Sequence, residues 1–147
     1  MGLTKQWVSA LGAVLLALSA VSVQAETPQR GGTLVWSIGT TPRHLNPAVQ
    51  SGIATGAPGA QLFATLVRFD DKWNANPYLA KSWQTSADGL AVTFNLVEGA
   101  TFHDGTPITS KDVAFSIKTI KANHPFKTMF RAVSSLETPS PNTVVFK

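Results

Sequence analysis

The chain has 147 residues, of which 44% are apolar and only 14% charged, with 11 Gly, 9 Pro and no Cys. That is about one domain's worth of chain, and so few charges exclude a disordered or coiled-coil protein. Without Cys there is no disulfide framework, thiolate metal site, thiol nucleophile or lipid-bearing N-terminal cysteine. The net charge of +4 comes from 12 Lys+Arg against 8 Asp+Glu. Lys118 and Lys121 form the densest basic pair, too little for a phosphate-tracking surface, so no nucleic-acid partner is expected.

The first 25 residues read as a secretory signal. Lys5 is the only charge before Glu26, and the apolar run Leu11 to Leu18 follows it. The small and polar end, Val21-Ser22-Val23-Gln24-Ala25, suits a signal peptidase, so cleavage is expected after Ala25. The apolar centre is short of the roughly 20 residues that span a bilayer, which disfavours a membrane anchor. The mature chain, residues 26–147, is then exported to a periplasm or beyond, where a Cys-free protein needs no oxidative folding.

Thr33 to Ile38 has the β-branched and aromatic content of a first strand. Gly39 to Pro47 is a loop broken by Pro42 and Pro47. Ser51 to Gly59 carries little to pin it. A helix is expected to start near Pro58 and to bury Leu62, Phe63 and Leu66. Val67 to Phe69 is a short strand, and Asp70 to Pro77 a polar turn. Asp88-Gly89 is a hairpin turn, followed by a strand over Leu90 to Val97 with Leu90, Val92, Phe94 and Leu96 on one face.

Glu98-Gly99 and Asp104-Gly105 are further turns. Thr109 and Asp112 then form a capping box at the start of a helix over residues 110–122, with Val113, Ala114, Ile117 and Ile120 as its apolar stripe. Pro125 stops that helix. Arg131 to Thr138 and Asn142 to Lys147 are two strands around Pro139-Ser140-Pro141. The second is strongly apolar up to the last residue, from which a truncated chain is expected. The aromatics Trp36, Trp73, Tyr78, Trp83, Phe94 and Phe102 are expected to pack into the core.

Catalytic patterns are missing. His44, His103 and His124 have no metal-type partners at helical spacing. Asp70-Asp71 with Asn74 and Asn76 lacks the order of a calcium loop. Nucleophile elbows and phosphate loops are also lacking. Asp88, Glu98, Asp104 and Asp112 are the carboxylates available for acid/base pairing, and each sits on a turn or cap with a structural task.

One long pattern remains. It comprises Pro77-Tyr78-Leu79-Ala80-Lys81-Ser82-Trp83, Asp88-Gly89-Leu90, Thr93-Phe94-Asn95-Leu96, Glu98 to Pro107 and Thr109-Ser110-Lys111-Asp112-Val113, with Gly31-Gly32-Thr33-Leu34 and Leu45-Asn46-Pro47 upstream. This resembles the family 5 solute-binding proteins of ABC importers, the peptide/nickel-binding group. Ser110 stands where the family usually has Ala, and Asn95 where Lys or Arg is common.

The resemblance implies an α/β, bilobed periplasmic-binding-protein fold of type II-like architecture. This chain would be the N-terminal part of the first lobe, β-rich with two helices. It implies a monomeric binding protein without a cofactor, not an enzyme, that closes on an oligopeptide or other small solute and docks on the membrane subunits of an ABC permease. In such proteins the loop after the first strand and the segment after L-N-P line the cleft. The corresponding residues are Thr40, Thr41, Pro42, Arg43 and His44, then Val49, Gln50, Ser51 and Gly52, with Phe126 to Phe130 approaching the same region. Arg43 would neutralise a solute carboxylate. The rival readings are a small secreted enzyme and a free-standing secreted β-rich interaction module.

Overall fold

An amphipathic helix and an antiparallel sheet, each with one apolar face, account for most of the core. The computed structural model describes residues 30–147, so the signal expected over residues 1–25, with its cleavage point, lies outside the described residues. In chain order the elements are α1 (Ile53–Leu62), β1 (Val67–Phe69), β2 (Ala75–Pro77), β3 (Ala80–Thr85), β4 (Val92–Leu96), α2 (Ser110–Asn123), a 3-10 turn (Lys127–Phe130), β5 (Leu136–Ser140) and β6 (Thr143–Phe146).

The main sheet is antiparallel with strand order β3-β4-β6-β5. Trp83 pairs with Phe94, and Phe94 with Val144, so these three share one face. On this face the rings of Trp83, Phe94 and Phe146 form a chain, Trp83 to Phe94 at 6.5 Å and Phe94 to Phe146 at 5.2 Å between centroids. Helix α2 supplies Val113 to the cluster built on Leu96 and Val144, with Leu66, Leu79, Phe94 and Phe146 around it. On the other face Asn95 donates to the Ser82 hydroxyl at 3.3 Å, so the position where Lys or Arg is common becomes a cross-strand polar contact.

The α2 cap is as expected. The Thr109 amide and hydroxyl both donate to Asp112 Oδ2, at 2.7 and 2.8 Å. The same end of the helix is tied to the β5–β6 turn: the Ser110 amide donates to the Pro141 carbonyl at 2.7 Å and its hydroxyl to the Ser140 carbonyl at 2.6 Å. Ser110 is buried, so the hydroxyl that departs from the family's Ala satisfies a carbonyl at the helix–turn junction.

Several expectations are corrected. Residues 33–38 form no strand, and Leu34 and Val35 are 87% and 88% exposed. A strand exists through its ladder, and none of the described residues pairs with this segment. Helix α1 starts at Ile53, not near Pro58, which lies inside it. Its buried positions are the small residues Thr55 and Gly59, while Leu62 and Phe63 are 58% and 53% exposed. Packing on that small-residue face outweighs the proline's missing amide. Strand β4 is shorter than expected, with Leu90 exposed, and β5 begins at Leu136. Of the six aromatics, Trp36, Trp73, Tyr78 and Phe102 are exposed: Trp36 lies in the segment without a strand partner, Phe102 in the loop closed by the Thr101–Pro107 bridge, and Trp73 at the turn of the two-stranded β1–β2 sheet.

Leu96 is 1% exposed. Leu96→Ala should therefore lower unfolding stability by about 2–5 kcal/mol, whereas Leu90→Ala at an exposed position should stay within about 0.5 kcal/mol. Urea denaturation of both variants checks the contrast.

Candidate functional site

The segment from Gly39 to Gly52 has no regular hydrogen-bond ladder, so local contacts decide its path. The Thr40 amide donates to the Ile38 carbonyl at 2.8 Å, closing a tight bend. The Asn46 side chain accepts the Ala48 amide at 2.9 Å, an Asx turn. The Asn46 amide in turn donates to His44 Nδ1 at 3.2 Å. Gly52 has φ +101° and ψ 156°, a glycine-only conformation, and its carbonyl accepts the Gly56 amide at 2.8 Å to start α1.

Two contacts hold this loop on α1. The Thr55 hydroxyl donates to the His44 carbonyl at 3.2 Å. Gly59 faces the Pro47 ring so closely that a Cβ there would lie 2.9 Å from Pro47 Cγ. Thr55 and Gly59 are one helical turn apart on the same face of α1. Sequence reasoning missed both and read Ser51 to Gly59 as unpinned. The available signal was that spacing of two small residues shortly after L-N-P.

The expected site residues therefore fall into two groups. Thr40, Thr41, Arg43 and His44 are exposed, and Arg43 has no hydrogen-bonded or ion-paired side-chain partner among the described residues. Val49, Gln50 and Ser51 are half-buried where the loop enters α1, and Gly52 is exposed at its cap. Of the segment Phe126 to Phe130, Phe126, Met129 and Phe130 line a cavity of about 140 Å³ with Pro47, Ile120 and His124. The His124 Nδ1 accepts the Phe126 amide at 3.0 Å, which turns the chain out of α2. A second groove, lined by Lys118, Lys121 and Val133 to Leu136, is partly filled by Lys121 donating to the Val133 carbonyl.

The carboxylates have local partners. Asp70 lies below its ordinary value through the Asn74 side chain and the Asn74 and Lys72 amides. Asp88 is lowered by the Ser86 hydroxyl and Leu90 amide, and Asp104 by the Thr106 hydroxyl and amide. Glu98 is lowered by a hydrogen bond from Lys81 and by its charge, across a 2.8 Å surface ion pair. Groups held ionised in this way are turn fasteners and poor proton donors. Among the described residues no three His, Asp or Glu side chains gather as a metal set.

Comparison with known proteins fits this geometry into a larger one. A structure of NikZ from Campylobacter jejuni in complex with Ni(L-His) superposes with TM-score 0.65 at 32% identity, covering 74% of this chain and 22% of that one. AppA of Bacillus subtilis, the oligopeptide-binding protein solved with a nonapeptide, gives TM-score 0.65 at 27% identity, covering 73% of this chain and 22% of that one. The fold is thus a partial lobe of a bilobed periplasmic binding protein. In sequence, a putative ABC transporter peptide-binding protein of Brucella ovis is 42% identical over 108 residues, 71% of this chain and 20% of the relative. The profile of the bacterial extracellular solute-binding proteins, family 5, middle part, matches residues 74–147, and the chain belongs to that family. It spans about a fifth of the length of these relatives. Family 5 proteins are binding proteins, not enzymes, which sets the small-enzyme reading aside.

In the fold the carboxyls of Asp70, Asp88, Asp104 and Glu98 all lie below their ordinary values. As pH falls, the unfolded chain takes up these protons first. Their stabilisation should be complete above those values and disappear as pH drops through the lowered ones. Denaturation midpoints across that acid window should fall, and Asp104→Asn should flatten the slope.

Proposed function

We propose that this chain is the N-terminal part of the first lobe of an exported solute-binding component of an ABC importer. Residues 1–25 address it to the periplasm and are removed after Ala25. Lobes of the longer protein close on the solute, and the closed form docks on the permease. The solute is an oligopeptide. The similarity to the Brucella ovis peptide-binding protein carries this reading, and the AppA fold likeness supports it. Thr40, Thr41, Arg43, His44, Val49, Gln50, Ser51 and Gly52 form the part of the solute wall on this chain. Arg43, exposed and unengaged by described side chains, pairs with a solute carboxylate.

A second reading is a metal chelate. It is favoured by the Ni(L-His) complex of NikZ, at 32% identity. Calorimetry on the full-length product separates the two: trialanine should bind tightly and Ni(L-His) weakly or not at all. The reverse would move the chelate forward. Arg43→Ala should weaken trialanine binding. Residues 26–147 alone should bind neither solute at submicromolar concentration, because half of the wall is elsewhere, and such binding would refute the lobe assignment.

A further inference from the structure

Thr55 is a polar side chain at 1% exposure on a helix whose other buried position is Gly59. Burying a hydroxyl is unfavourable unless it is hydrogen-bonded. Its bond goes to neither its own helix nor the core, but to the His44 carbonyl eleven residues back. Four residues further on, Gly59 leaves room for the Pro47 ring. The two contacts bracket Asn46, whose side chain and carbonyl order Ala48 and Val49.

We infer that Thr55 and Gly59 are positioning residues. They latch residues 44–49 onto α1 and so fix the stretch from which Arg43 and His44 project on one side and Val49 to Gly52 on the other. Neither residue needs to touch the solute. The inference rests on the proposed solute wall for its functional meaning, but the latch is testable without any solute. A loop without ladder bonds samples many backbone states, and a solute meeting it would bind in proportion to the competent fraction. The latch removes that loss in advance. It also explains why the buried face of α1 is made of small residues: a larger side chain at position 59 would lift Pro47, and an apolar one at 55 would leave the His44 carbonyl without its donor.

Backbone amide exchange in the full-length product tests this. Thr55→Val keeps the shape and removes the donor, so exchange at Asn46, Ala48 and Val49 should rise about threefold to tenfold, the effect of losing one net hydrogen bond. Amides of β4 and β6 should keep their wild-type rates. Thr55→Ser, which retains a hydroxyl, should restore slow exchange, and Gly59→Ala should reproduce the Thr55→Val pattern. Ser110→Ala, at the other end of the fold, should leave residues 46–49 unchanged. Unchanged exchange at 46–49 in Thr55→Val, or a rise spread equally through the sheet, would overturn the latch. Trialanine titration of Arg43→Ala reads the solute wall separately: unchanged affinity there together with loosened exchange in Thr55→Val would refute the wall and leave the latch standing.

Discussion

A four-stranded antiparallel sheet must cover one of its faces, and among the described residues a single helix, α2, is packed on it. Its placement depends on one junction, where the helix start meets the β5–β6 turn. Ser110 makes two bonds there, to Pro141 through the amide and to Ser140 through the hydroxyl. The next carbonyl of the same turn, that of Asn142, accepts the Leu96 amide at 2.8 Å. One turn therefore holds the helix, closes the hairpin and ends β4. With that point fixed, Val113 falls over Leu96 and Val144, and the Trp83–Phe94–Phe146 chain can form beside them.

The loop ahead of α1 is built on a different principle. It has no sheet to order it, and uses a buried hydroxyl, a tight Gly–Pro approach and an Asx turn instead. Each is weak alone, about the size of one net hydrogen bond or less. They act on one short stretch, so their effects fall on the same few backbone torsions. The scaffold half of the molecule is ordered by area and the candidate solute half by point contacts. That division suits a binding wall, where polar groups must remain available.

Strands β4 and β6 and helix α2 were legible in the sequence because their signals are local. The Asp88-Gly89 turn, the period-two pattern through Val92, Phe94 and Leu96, and the Thr109–Asp112 cap all act within a few residues. Thr33 to Ile38 misled because strand content describes what a segment tolerates, and the partner that makes a strand lies elsewhere in a chain. The start of α1 was misplaced because Pro58 suggested a helix beginning, while the decisive contacts come from Pro47 and His44, far off in sequence. The same reason hid the latch. Arg43 and its neighbours were named through family resemblance, and their local pattern alone would have marked only a polar loop.

The Pro47 ring has two neighbours to satisfy. The ring meets Gly59 and also helps to wall the cavity shared with Ile120, His124, Phe126, Met129 and Phe130. Position 47 is therefore not at liberty to drift by itself. A side chain introduced at 59 has to be matched by a smaller residue at 47. That exchange would in turn enlarge the cavity unless Phe130 or Met129 grew to refill it. The three places form a single volume account, and evolution can alter it only by moving bulk from one to another.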